Sequence, residues 1–231
     1  MRPQRSHGVS MLTRLWFGLM GAKAAYLGLA GALLAAGCGS SGNKASTTAS
    51  APSASTAAAA SAPPSGIRAR LLTKNELPGF QPVGVSVHKT PSSWISGEQL
   101  PPDQATAEKA MLRRDGFRLG VHEDLMSAGT GGASVVEQFR SPAAARDALA
   151  FYVSQSKASA AAGFGGAYEP FKVSGIPGAV GFSRGGVNGG GLNIVFSDGA
   201  YYYFVGQEGG SRPAVAKLTA AARGLYHRVH G

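Results

Sequence analysis

From Gly39 to Gly66 the chain is Ala, Ser, Thr, Gly and Pro almost throughout, with Lys44 its only charge. Proline apart, no apolar side chain there is larger than alanine. Such a stretch cannot bury enough surface to offset the entropy of ordering it. It reads as a flexible tether, and its Ser/Thr/Pro content is compatible with O-glycosylation. Folding is thereby confined to Ile67–Gly231, a length that suits one domain with a substantial core. No later apolar run is long enough to span a bilayer. The chain has one cysteine, Cys38, which lies outside the folding segment. The domain must therefore hold together by packing, without disulfides.

Upstream of the tether, Arg2, Arg5, Arg14 and Lys23 precede an apolar stretch, Ala24 to Ala36, which closes on Leu33-Leu34-Ala35-Ala36-Gly37-Cys38. A basic start, an apolar middle too short to span comfortably and a small-residue exit describe a secretory signal peptide over residues 1–37. No twin-arginine pair precedes the apolar run, so the general secretory route is expected. With Cys38 directly after the small residues, the segment resembles the lipobox of bacterial lipoproteins. It departs from that motif at Ala35, where Leu is most common. The resemblance implies diacylglycerol on the Cys38 thiol, cleavage before it, and residues 38–66 as lipidated cysteine plus tether. Each buried methylene contributes about 0.8 kcal/mol and one acyl chain binds only marginally. The diacyl form, often with a third chain such as palmitate, would hold stably. The expected location is the extracytoplasmic face of the cell membrane.

The whole chain carries 22 Lys+Arg and 12 Asp+Glu. Four of the basic residues precede Cys38 and no acidic residue does, so the processed chain would carry 18 − 12 = +6. Basic residues are scattered, with Arg113-Arg114 the only doublet after Cys38. No basic run interleaved with aromatics tracks a nucleic-acid backbone, so no nucleic-acid partner is expected. The excess keeps the surface solvated and gives at most a mild attraction to anionic lipid or envelope polymer.

Within the domain, residues 68–72 read as a helical turn or two. Thr73-Lys74-Asn75-Glu76 has capping-box spacing before Leu77-Pro78-Gly79 ends the element. Val83, Val85 and Val87 alternate as in a strand. Trp94 falls in a polar loop and is expected to pack down on the core. Asp103 after Pro101-Pro102 suits a helix N-cap, with Arg113-Arg114 and Gly116 at the far end. A strand follows, with Phe117, Leu119, Val121 and Leu125 on one face, interrupted only by Glu123, and Arg118, His122 and Asp124 on the other. The Gly129–Gly132 turn leads to a strand through Val135, Val136 and Phe139. Ser141-Pro142 opens a helix whose face carries Ala145, Ala148, Leu149, Tyr152 and Val153. Further strands are read near Phe171–Val173 and Val180–Phe182. Asp198-Gly199 marks a hairpin between Leu192–Ser197 and Ala200–Gly206. Ser211-Arg212-Pro213 then opens a last helix. The predicted fold is α+β: an antiparallel sheet backed by helices, with two hairpin-then-helix units.

Leu71-Leu72, Glu76-Leu77-Pro78-Gly79-Phe80, Gly116-Phe117, Ile176-Pro177-Gly178-Ala179 and Phe196-Ser197-Asp198-Gly199 look like a family of uncharacterised actinobacterial lipoproteins. The likeness covers most of Leu71 to His230. More distantly the layout is similar to PsbP-like exported domains and to extracellular sensor domains of bacterial kinases, which carry disulfides this chain lacks. The resemblance implies an envelope lipoprotein and carries over no catalytic residue.

Few groups suggest chemistry. His227 and His230 share a helix face without a third ligand nearby in sequence, so no metal or cofactor is expected. His122, Glu123 and Asp124 alternate across a strand and cannot all converge. Gly185–Gly191 has no Gly-Lys-Ser/Thr and precedes a strand, unlike a phosphate loop. No Gly-x-Ser-x-Gly elbow is present. In the last hairpin, Leu192, Ile194, Phe196, Tyr201, Tyr203 and Val205 form a clean core face, with Phe196 opposite Tyr201 if Asp198-Gly199 is the turn. The other face carries Asn193, Val195, Ser197, Tyr202 and Phe204. Either a helix covers it, or Tyr202 and Phe204 serve as a partner or ligand surface. The expected function is thus a membrane-anchored, non-catalytic lipoprotein that binds an envelope protein, lipid or polymer. The alternative is an extracytoplasmic hydrolase with dispersed catalytic residues.

Overall fold

A computed structural model describes residues 65–98, 100–185, 190–208 and 212–230. The signal peptide, Cys38, the tether up to residue 64, Gly186–Gly189 of the glycine-rich loop and Ser211 lie outside the described residues.

The elements in chain order are α1 (Ser65–Arg68), β1 (Gln81–His88), α2 (Pro91–Glu98), α3 (Pro102–Arg114), β2 (Leu119–Ser127), β3 (Thr130–Gln138), α4 (Pro142–Ala161), β4 (Tyr168–Phe171), β5 (Val180–Arg184), β6 (Gly191–Asp198), β7 (Tyr201–Glu208) and α5 (Arg212–His230). The seven strands form one antiparallel sheet in the order β1-β2-β3-β7-β6-β5-β4. The fold is α+β, as the alternation of strands and helices predicted. No helix among the described residues is long and apolar enough to cross a membrane.

Each of the two hairpins β2–β3 and β6–β7 is followed by a long helix, and the closing strands β3 and β7 pair with each other. The two helices cover opposite faces. On one face, Val121, Val136, Ile194, Phe196, Tyr203 and Val205 pack with Leu218, Ala222 and Leu225 of α5. The segment Ile67–Phe80 joins this core through Ile67, Leu71, Leu72 and Leu77. On the other face, Val135, Val195, Tyr202 and Phe204 pack with Met111 and Leu112 of α3 and with Ala144, Ala145 and Ala148 of α4. Period-two strands with both faces covered give nearly continuous burial along β6 and β7.

Local chemistry explains the boundaries. Ser141 caps α4, its Oγ accepting from the Ala144 N–H at 3.2 Å, with Pro142 at the first helical position. Helix α3 begins two residues earlier than predicted. Pro101 occupies its N-cap with no side-chain cap bond, and Asp103 sits in the first turn, where its charge suits the helix dipole. Trp94 is not in a loop. Thr90 and Ser93 exchange hydrogen bonds, the Ser93 N–H donating to Thr90 Oγ1 at 3.1 Å, and Pro91 follows the cap, so α2 starts there. Its Trp94 ring lies against Gly120 of β2: a Cβ there would come within 2.5 Å of the indole. Only glycine admits that approach.

The β6–β7 hairpin differs from its predicted register. Asp198 pairs with Tyr201 and Phe196 with Tyr203, so the loop is Gly199-Ala200. Gly199, with φ +54°, takes the first loop position, the place glycine holds in a type II′ turn. The shift is two residues, so every side chain keeps its predicted face. In β2–β3 the loop is Ala128-Gly129, with φ +42° and +85°. Both positions are left-handed, the type I′ pattern, and Ala128 is the only described non-glycine residue in that region. Asparagine tolerates that region better than alanine. Ala128→Asn is therefore expected to stabilise the domain by about 0.5–1 kcal/mol. A urea midpoint unchanged or lower than wild type would contradict this.

Candidate functional site

The aromatic face expected on β7 is not open. Tyr202 and Phe204 are 3 % and 2 % exposed and lie under α4. The Tyr202 ring packs against Tyr152 of α4 with centroids 4.9 Å apart. The surface reading of these two residues is corrected: a helix covers the face, because an antiparallel strand this apolar on both sides needs cover on both.

The covered face holds an unexpected group of polar residues. Glu98 ends α2, Glu108 lies midway along α3, His122 and Asp124 project from β2, Glu137 from β3, and Tyr152 from α4. Glu108 Oε1 accepts from Trp94 Nε1 at 3.2 Å and from the Tyr152 hydroxyl at 2.9 Å. The same hydroxyl oxygen lies 3.2 Å from Glu137 Oε2. At the β2 end, His122 Nε2 is 3.2 Å from Asp124 Oδ1, and its Nδ1 is 4.0 Å from Glu98 Oε1. Strand alternation puts Glu123 on the opposite face, so His122 and Asp124 converge and Glu123 does not.

Burial governs the electrostatics. It pushes the Glu98 carboxyl up to about 7, against the hydrogen bond with His122 that favours the ionised form. Burial, reinforced by repulsion from Glu98, pushes Glu108 up to about 8 despite its bonds from Tyr152 and Trp94. Glu137 is driven well above the usual carboxylate range by burial and then by Glu108. Burial alone would lower His122, but hydrogen bonds to Asp124 and Glu98 outweigh it and raise the imidazole to about 9.

These displacements have one sign. A buried carboxyl that prefers its neutral form stabilises the fold fully below its unfolded value near 4.5, and that stability is lost as pH rises through the folded value, here about 7 and 8. His122 contributes fully below 6.5 and loses its contribution as pH rises through about 9. The melting temperature is therefore expected to fall steadily from about pH 5 to about pH 9. A flat or rising profile in thermal melts would show that these groups are not held as described.

A proton-transfer group must reach a substrate. Glu108 and Glu137 lie beneath α3 and α4, with Glu137 1 % exposed, so they can store protons but meet no substrate in this closed arrangement. Among the described residues, no group of three His, Cys, Asp or Glu is placed to hold a metal ion. His227 and His230 do not act together: His230 Nδ1 lies 2.7 Å from Asp198 Oδ1 and its ring stacks on Tyr226.

The sequence carried one sign of this cluster. Glu137 falls between Val135 and Phe139 at strand period two, a carboxyl in the middle of an apolar face. Its partner Glu108 comes from a helix on the far side of β2, which no local pattern reveals.

No protein-family model and no curated protein matches the sequence. Among solved structures, the chain is similar to the extracellular domain of PknH from Mycobacterium tuberculosis. The TM-score is 0.43 at 14 % sequence identity, covering 69 % of this chain and 94 % of that one.

Proposed function

We propose that the chain is a lipid-anchored lipoprotein of the cell envelope whose α+β domain is a non-catalytic binding module on the extracytoplasmic side, presented to an envelope protein, lipid or polymer. The observation that carries the reading is Leu33–Cys38, a small-residue exit ending in the only cysteine, followed at once by the polar tether. The resemblance to actinobacterial lipoproteins supports the same reading. So does the burial of the acidic cluster, which removes Glu108 and Glu137 from any substrate.

Anchoring is tested by Cys38→Ala. The variant is expected to remain an unlipidated precursor in intact-mass measurement, while the wild type carries diacylglycerol on a new N-terminal cysteine. A wild type without lipid, sharing the variant's N-terminus, would overturn the anchor. Binding is tested by capture from native membranes with the folded domain.

One observation favours the second reading, a hydrolase. Glu98, His122 and Asp124 come together at the end of α2, and the Asp124 side chain is 30 % exposed. Hydrolysis of model esters or glycosides that disappears in His122→Ala would establish it.

A further inference from the structure

The contact pattern around Tyr152 raises a question of proton count. Its hydroxyl has one hydrogen, yet its oxygen lies within hydrogen-bond distance of two carboxyl groups, 2.9 Å from Glu108 Oε1 and 3.2 Å from Glu137 Oε2. Were both carboxyls ionised, one carboxylate oxygen would face a phenol lone pair with no hydrogen between them. One of the two contacts must be donated by a carboxylic acid. Glu108 Oε1 also receives the Trp94 indole N–H, a hydrogen bond that favours its ionised form and leaves Glu137 the better proton donor to the phenol. In that arrangement the phenol hydrogen goes to Glu108, and Glu137 Oε2 donates to Tyr152 Oη.

We propose that Glu137 carries a proton at neutral pH and that the chain Glu137–Tyr152–Glu108–Trp94 is a proton-dependent latch fastening α2, α3 and α4 over the sheet. Each link belongs to a different element: β3, α4, α3 and α2. The titratable groups facing the chain are His88 of β1, whose ring packs edge-on against Trp94 with centroids 5.4 Å apart, Glu98 of α2, Glu108 of α3, Tyr152 of α4, His122 and Asp124 of β2, and Tyr202 of β7. Of these only His88 and His122 can be cationic; burial lowers His88, and His122 is engaged by Asp124 and Glu98. Loss of the proton leaves two carboxylates competing for one hydroxyl in a buried layer without a nearby counter-charge. Relief comes from moving α3 and α4 off the sheet, which bares Tyr202 and Phe204.

Infrared difference spectroscopy on the full-length protein at about pH 7 tests the proton's place. Wild type is expected to show the C=O band of a protonated, buried carboxylic acid. The wild-type-minus-Glu137→Gln difference should contain that band at about pH 7 and keep it to a higher pH than the wild-type-minus-Glu108→Gln difference, because Glu108 is raised only to about 8. Both variants should fold, because an amide can donate where Glu137 donates and accept where Glu108 accepts. Hydrogen exchange tests the latch. As pH rises past the loss of the proton, protection of residues 102–114 and 142–161, corrected for intrinsic rates, should fall more steeply in wild type than in Glu137→Gln, by up to about tenfold per pH unit. The proposal is overturned by the absence of a protonated-carboxyl band in wild type, by a band that Glu108 keeps to a higher pH than Glu137 does, by a Glu137→Gln chain that cannot fold, or by equal pH dependence of protection in wild type and variant.

Discussion

Replacing Tyr202 and Phe204 together by serine is expected to unfold the domain at ordinary temperature. Truncating a buried aromatic costs about 3–5 kcal/mol through lost transfer energy and the cavity left behind. Both rings are almost wholly enclosed between β7 and α4, and Tyr202 also loses its packing on Tyr152. The two sites share neighbours, so their effects will not add cleanly. Even so the combined loss, on the order of 6 kcal/mol or more, matches much of the 5–15 kcal/mol that stabilises a typical domain. Circular dichroism should show little folded signal at about 25 °C, and each single variant a large drop in melting temperature. A double variant melting within a few degrees of wild type would mean that α4 does not cover this face and that the aromatic surface is open after all.

Arg228→Ala is expected to cost about 2 kcal/mol. Arg228, in the last helix, reaches back to the start of the domain. Its Nε donates to Glu76 Oε1 at 2.8 Å, its Nη2 donates to Glu76 Oε2 at 2.9 Å and to the Leu71 carbonyl at 2.6 Å, and its Nη1 donates to the Ala69 carbonyl. Glu76 in turn accepts from the Thr73 N–H at 2.8 Å, the reciprocal half of the capping-box pattern seen in the sequence. Breaking a fully buried pair costs about 3–5 kcal/mol. Here the arginine is a third exposed and Glu76 about a tenth, which places the cost between that range and the roughly 0–1 kcal/mol of a surface pair. Lysine supplies one point charge in place of the fork, so Arg228→Lys should recover only part of the loss. Urea unfolding measures the cost, and proteolysis within residues 65–77 should accelerate in the alanine variant. A cost below about 1 kcal/mol would reduce the fork to an ordinary surface pair.

What was legible in the sequence was local. Ser141-Pro142 marked a helix start because the cap and the proline both act within one turn. The faces of β6 and β7 were legible because side chains alternate, and they survived a two-residue error in register. The error arose because Asp198-Gly199 was read as the loop, whereas glycine takes the first loop position and Ala200 the second. Helix α2 was missed because Pro91-Ser92-Ser93 is polar, and its start depends on a reciprocal Thr90–Ser93 bond, not on apolar spacing. The acidic cluster was missed for a different reason. Glu98, Glu108, Glu137 and Tyr152 sit on four elements, and only the choice of which helix covers which face of the sheet brings them together. That choice is tertiary: α4 and α5 follow similar hairpins and share a Ser/Pro start in the sequence, yet they go to opposite sides.

The Arg228 fork also fixes how the domain answers a pull. Tension arriving along the chain at Ser65 does not reach the sheet directly. It meets Ala69, Leu71 and Glu76, all held by one side chain from the opposite end of the sequence, before it can peel β1 from the sheet's edge. The two ends of the fold are thus clipped together where a load from upstream would enter. The first rupture under force is expected to be this clip, freeing the strap of residues 65–77, while the layer beneath α3 and α4 is left unloaded.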